Sequence, residues 1–220
     1  MVRTILVPVC ITLSFALIEC RTPQVGCVEG GCRDGVGAYR FPTGDVYRGG
    51  FRNGQPHGTG RYEYTDGTTY EGQFFEGVRE GRGMFRYANG DVYVGEWVQG
   101  EREGQGRMTY ADSSTYEGPW KDGQREGQGV LVKPSGWRYE GTFTEDRIEG
   151  QGRQFLADGG RYEGHFVDGK REGQGVMHFA DGAVYRGQWR NDQPNGQGVR
   201  TDADGTRREG LWVNGQYISQ

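Results

Sequence analysis

Seven tyrosines, Tyr47, Tyr70, Tyr93, Tyr116, Tyr139, Tyr162 and Tyr185, recur every 23 residues, and Arg208 takes the eighth place. Two residues after each stands Gly, from Gly49 to Gly210, and four residues after each stands a ring, from Phe51 to Trp212. A Gly-x-Gly follows at the same period, from Gly58 and Gly60 to Gly196 and Gly198, and is visible one period earlier at Gly35 and Gly37. No insertion or deletion interrupts the count. A unit this short is one supersecondary element that cannot bury a face alone, so it must stack on its neighbours.

The local pattern is a hairpin. In 58–74, Gly58-Thr59-Gly60-Arg61-Tyr62-Glu63-Tyr64 and Thr68-Thr69-Tyr70-Glu71-Gly72-Gln73-Phe74 flank Thr65-Asp66-Gly67. Both arms alternate with period two, and Asp-Gly between such arms is a strong hairpin signal. A two-residue loop would place Tyr62 and Tyr70 on opposite faces. A three-residue loop, with Gly67 left-handed in a bulge, pairs Tyr62 with Tyr70 and Gly60 with Gly72, and gathers the rings on one face. Asn89-Gly90, Asp158-Gly159, Asp181-Gly182 and Asp204-Gly205 repeat the turn, with weaker versions at Asp112-Ser113 and Ser135-Gly136. The constant glycines are expected to make shallow pockets in which neighbouring rings lie. One Tyr and one Phe or Trp per repeat then replace an aliphatic core, since each ring buries a large area.

Composition excludes the alternatives. Gly accounts for 42 of 220 residues, several times its usual share of roughly 7 %, yet it does not recur every third position as collagen requires. Three of six Leu and three of five Ile lie within the first 18 residues. What remains lacks the residues of a helix bundle, a parallel α/β enzyme or a polytopic membrane protein. The expectation is an all-β chain of eight hairpins, hence sixteen strands, over 35–212.

Residues 1–19 read as a signal peptide. Met1-Val2-Arg3 is a short basic start, and the apolar run from Thr4 to Ile18 is too short for a comfortable membrane span. Ser14-Phe15-Ala16 offers the small residues that signal peptidase prefers. Leu17-Ile18-Glu19-Cys20 resembles a lipobox, with Glu19 where a small residue is expected, so Cys20 is a candidate lipid attachment site. The mature protein is expected to be exported: periplasmic, held in the cell envelope, or secreted. Segment 20–34 carries Cys27 and Cys32, which in an exported chain are a candidate disulfide. Two cysteines without a neighbouring His cannot close a zinc site. Residues 213–220 are expected to form a C-terminal tail.

Tyr93-Val94-Gly95-Glu96-Trp97-Val98-Gln99-Gly100 through Gly104-Gln105-Gly106 resembles the MORN repeat. The resemblance covers about 35 to 215, and together with the signal-like start and the bacterial-type lipobox at Cys20 the chain reads as an exported bacterial protein of that type. It implies a single-layered, elongated, twisted antiparallel sheet of stacked hairpins, used for protein–protein interaction, assembly and, less firmly, lipid contact. The chain departs from the motif at Asp146 and Asp192, where a loop Gly is missing, and at Gln154, where the ring moves one place to Phe155. A local irregularity is expected there.

Chemistry is sparse. His57, His165 and His178 occupy three different repeat positions, and His57 stands in a column of Glu80, Glu103, Glu126, Glu149, Glu172 and Asn195, as a surface residue. No nucleophile elbow, phosphate loop or His-Glu-x-x-His occurs. No catalytic residue, cofactor or metal site is expected, and the chain is read as a non-enzyme. A sequence pI near 5.5 and alternating charge argue against nucleic acid. Arg79-Glu80, Arg102-Glu103, Arg125-Glu126 and Arg171-Glu172 read as a mixed, solvated edge. Asp202-Ala203-Asp204 is the one close pair of aspartates, and turn chemistry explains the other turn Asp residues without calcium. Trp137 falls in a turn column of small residues and is the candidate partner contact, the plain alternative being a patch that covers Phe155. The expected function is a non-enzymatic scaffold for one or more protein partners, a homodimer included, with membrane contact only through the N-terminus. The alternatives are a membrane-lipid-binding module and a polysaccharide-binding surface protein.

Overall fold

The computed structural model describes residues 24–219, so the signal-peptide segment and Cys20 lie outside the described residues. The chain divides into two compact units on either side of the Arg79–Glu80 bond, and each is described by itself. The first holds β1 (Gly26–Gly30), β2 (Gly35–Arg40), β3 (Val46–Arg52), β4 (Gln55–Glu63) and β5 (Thr69–Phe75), and β6 (Val78–Arg86) carries the boundary. The second continues with β7 (Val92–Val98), β8 (Glu101–Thr109), β9 (Thr115–Lys121), β10 (Gln124–Arg125), β11 (Gly127–Val132), β12 (Arg138–Thr144) and β13 (Arg147–Phe155). It ends with β14 (Arg161–Val167), β15 (Lys170–His178), β16 (Val184–Arg190), β17 (Gln193–Thr201), β18 (Arg207–Val213) and β19 (Gln216–Ser219). All are antiparallel strands of one sheet.

The parity argument fixes the register. Tyr62 pairs with Tyr70 and Gly60 with Gly72. Tyr64 closes the loop, its carbonyl accepting from Gly67 N–H at 3.1 Å while its own N–H donates to Thr68 O, and Gly67 has φ 89°. Asp66 Oδ1 accepts from Thr68 N–H at 2.8 Å, as Asp112, Asp158, Asp181 and Asp204 do in their own turns. These are Asx turns, which is why Asp leads the loop.

Among the described residues nineteen strands replace the expected sixteen, for three reasons. Segment 20–34 contains β1, which pairs with β2. The expected tail contains β19, which pairs with β18 and sets Tyr217 against Trp212 at 5.3 Å between ring centroids. The third reason is a break at Glu126 between β10 and β11. Pro119 stands opposite on β9, and a proline has no N–H to give the ladder. That also moves the irregularity: register at Gln154 is unbroken, with Tyr139 and Tyr162 on either side.

The core is a row of rings. The seven repeat tyrosines have no exposed surface. Tyr162 lies edge-to-face with Phe166 of its own repeat at 5.2 Å and with Trp189 of the next at 5.1 Å. The same double contact recurs at Tyr47, Tyr93, Tyr116, Tyr139 and Tyr185. Such pairs contribute about 0.5–1.5 kcal/mol each beyond burial. Each hydroxyl is satisfied locally, as where Tyr162 Oη donates to His165 O at 3.2 Å.

Cys27 and Cys32 are disulfide-bonded, and the bond closes the ring row. In later repeats a tyrosine covers the Gly pair, whereas a Cβ on Gly37 would stand 3.1 Å from Cys32 Sγ. One period before Tyr47 the chain has Gln24, so sulfur takes the place of the missing ring. Replacing both cysteines by serine should lower the opening free energy of the β1–β2 pair by about 2 kcal/mol, the value for so short a loop. Amide exchange across β1 and β2 measures it, and unchanged exchange would refute the capping role.

Candidate functional site

Alternation sends every second side chain away from the rings, and among the described residues these build a face rich in polar groups. Across the second unit, Glu117, Val130, Glu140, Arg153, Glu163 and Val176 stand directly opposite one another from β9 to β15, in one cross-strand row. Gln105, Gln128, Gln151 and Gln174 form a second row at the 23-residue period. Between the rows runs the glycine register, Gly129 against Gly141, Gly141 against Gly152 and Gly152 against Gly164. The result is a trough with a backbone floor.

Three adjoining grooves mark its length. One of about 420 Å³ is lined by Arg82, Val94, Glu96 and Gln105. The next, about 970 Å³, shares Gln105 and runs past Val130 and Val132 to Gln151 and Glu163. The third, about 440 Å³, shares Gln151 and Glu163 and reaches Arg186. In the first unit an equivalent groove of about 720 Å³ lies over Gly49, Gly60 and Gly72 between Arg61, Glu71 and Thr59.

Local electrostatics are partly spent inside the fold. Arg153 Nε is 3.5 Å from Glu163, and Arg138 pairs with Glu140. Gln128 Nε2 donates to Thr142 Oγ1 at 2.7 Å. The expected solvated Arg-Glu edge is a correction. Glu80, Glu103, Glu126, Glu149 and Glu172 each accept from a backbone N–H in the next short turn, as Glu103 does from Asp122 N–H at 3.0 Å. The arginines lie over rings, Arg102 over Trp120 at 4.3 Å and Arg171 over Trp189 at 4.9 Å. Asp146 and Asp192 adopt φ 67° and 69° where Gly usually serves, and their carboxylates accept from Arg125 and Arg171 at 2.9 and 3.1 Å. The missing glycines therefore lock an arginine in place.

The remaining sequence candidates scatter. Trp137 is half-buried, with Lys133 Nζ 4.9 Å from its ring centroid. Its column is the ring-side one in which Thr68, Ser114 and Ala183 are buried. Phe155 pairs with Arg138 and Arg161 and so faces the trough side. The two cannot cover one another, which removes the patch reading. Gln154 takes the ring-side place instead, and its Oε1 is buried without a hydrogen-bond partner. His57 is not a plain surface residue: its ring lies 5.4 Å from Phe75 and its Nδ1 is buried without a partner. Asp202 is held by Arg200 at 2.6 Å and Arg208 at 3.0 Å, and Asp204 serves its own turn. Among the described residues no group of three or more His, Cys, Asp or Glu could hold a metal, and no helix is long and apolar enough to cross a membrane.

A family model for the MORN repeat matches eight consecutive segments: 25–46, 47–69, 70–92, 93–115, 116–138, 139–161, 162–184 and 185–207. No curated protein matches the chain. Among solved structures, the wild-type TCP10 domain of Danio rerio CPAP, in complex with a peptide of Danio rerio STIL, is similar with a TM-score of 0.51. It is 16 % identical, over 84 % of each chain. The TCP10c domain of Drosophila melanogaster Sas-4 gives a TM-score of 0.40 at 17 % identity, over 70 % of this chain and 93 % of that one. At such identities the first is a likeness of fold.

Proposed function

We propose, because this chain belongs to the MORN-repeat family, that it is a non-enzymatic scaffold which binds protein partners along the trough of its ring-free face. The observation that carries this reading is the division of labour between faces. The ring side is consumed by the core, while the trough side presents amides, carboxylates and valines at a fixed spacing. That the TCP10 domain of CPAP is similar in fold and was solved with a peptide supports a polypeptide ligand.

The setting is the cell envelope or the outside of the cell, reached through residues 1–19, with Cys20 as the lipid anchor where acylated. Trp137 is a second contact at the edge of the ring side. A second copy of the chain is among the partners to be tested. A polysaccharide ligand needs an exposed aromatic ladder, and the repeat rings are buried. Direct lipid binding needs clustered basic residues, each contributing about 1 kcal/mol near an anionic surface. Removing residues 1–19 takes one base and one acid, Arg3 and Glu19, so the net charge stays at −4.

Cross-linking of the protein in its own cells tests the reading. Specific protein adducts are expected, weakened by Gln151→Arg in the trough and by Trp137→Ala, with the thermal midpoint little changed. The protein lacking residues 1–20 is expected not to sediment with anionic vesicles at low salt. Salt-sensitive vesicle binding without protein adducts would replace this reading with the lipid-binding one.

A further inference from the structure

The trough repeats at the pitch of two strands, and that pitch selects its ligand. Two strands advance about 9.6 Å across a sheet. Each advance presents the same group again: Gln105, Gln128, Gln151 and Gln174 on one wall, Glu117, Glu140 and Glu163 on the other. A polypeptide lying along the trough makes equivalent contacts at each repeat only if its own conformation returns to the same facing after about that distance.

The regular conformations differ sharply here. An α-helix covers about 9.6 Å in roughly 6.4 residues and arrives about 80° out of phase, so its contacting face turns away within three repeats. An extended β-strand covers it in about three residues, but its side chains alternate, so every third residue faces away from the sheet. Polyproline II has three residues per turn and rises about 3.1 Å per residue, so every third residue returns to one face after about 9.3 Å. It also has no internal hydrogen bonds, leaving its carbonyls free to accept from the glutamine amides.

Charge sets one further position. Glu140 and Glu163 are neutralised by Arg138 and Arg153 of this chain. Arg107 faces Glu117 across β8 and β9, yet among the described residues the Glu117 carboxylate makes neither an ion pair nor a side-chain hydrogen bond. Beside it stand Val130 and Val132, an apolar surface suited to proline rings.

We propose that the trough of the second unit binds a proline-rich segment of a partner protein in polyproline II conformation, with a lysine or arginine set against Glu117. The proposal rests on the scaffold reading and adds the chemistry and conformation of the ligand.

Fluorescence anisotropy on the full chain tests it, with labelled peptides as probes. A peptide of four Pro-Pro-Lys triplets is expected to bind at least about tenfold more tightly than four Gly-Gly-Lys triplets. The same composition with its lysines clustered at one end is expected to bind about fivefold more weakly. Glu117→Arg and the double variant Gln128→Ala/Gln151→Ala should each weaken the triplet peptide about tenfold with circular dichroism unchanged. All these side chains stand on the trough face, away from the ring core. Equal affinity for the proline and glycine peptides, no binding of the proline peptide, or indifference to the double variant would overturn the proposal. In those cases protein adducts that Gln151→Arg weakens would still uphold the scaffold reading, whereas failure to capture any protein removes both.

Discussion

Raising the pH above about 10 should unfold this protein in one cooperative step, well before all of its phenols have ionised in the folded state. Burial pushes Tyr47, Tyr139 and Tyr185 up to about 12, and Tyr93, Tyr116 and Tyr162 are raised further, again chiefly by desolvation. Arg102, Arg125 and Arg171 over the last three rings oppose that shift only in part. The unfolded chain releases these protons near pH 10, whereas the folded chain holds them. Stability is therefore intact below about pH 10 and falls as pH rises toward the folded values. Each such tyrosine contributes a slope of about 1.4 kcal/mol per pH unit. Six together exceed a typical domain stability of about 5–15 kcal/mol within one to two units. Phenolate absorbance and circular dichroism should change together over that range. Independent titration of the phenols near pH 10 with the sheet intact would contradict the buried ring row.

Gly175→Val should be the most damaging single glycine substitution in the second unit. A Cβ at Gly175 would stand 2.2 Å from Tyr162 Oη and 2.4 Å from the ring carbons Cε2 and Cζ. The facing Gly164 is equally closed, its own Cβ position lying 2.4 Å from the same Oη. The ring cannot tilt away without leaving Phe166 and Trp189 and losing its hydrogen bond to His165 O. Overpacking of this kind costs about 3 kcal/mol or more once the hydrogen bond is counted. Gly159→Ala is the comparison, because its φ is 94° but nothing stands within 4 Å of the new Cβ. It should cost about 1–2 kcal/mol, the expense of a left-handed alanine alone. Equal losses of thermal midpoint for the two variants would refute the pocket.

The hairpins, their three-residue loops and the Tyr62–Tyr70 register were legible because period and parity are properties of a linear pattern. Strand ends were not. Position 119 reads as one more variable place until a missing N–H opposite Glu126 breaks a ladder bond. Gln24 and Arg208 mark where the ring pattern stops, yet β1 still pairs with β2 and β19 with β18, because backbone pairing does not need a ring. The trough was half legible. The Gln column has the 23-residue period, yet its placement beside Glu117, Glu140 and Glu163 depends on strands that pair across turns.

The sequence by itself determined the repeat, the all-β class, the turn residues and which faces hold the rings, since each follows from spacing that any hairpin of this chain must obey. Only the tertiary structure decided what the constant glycines and charges are for. Tyr162 lies over Gly175, thirteen residues further along the chain, and Glu103 serves a turn nineteen residues later. Asp192 holds an arginine twenty-one residues before it. Those separations are set by antiparallel strands returning beside one another, so each partner lies on a neighbouring strand or turn of the sheet.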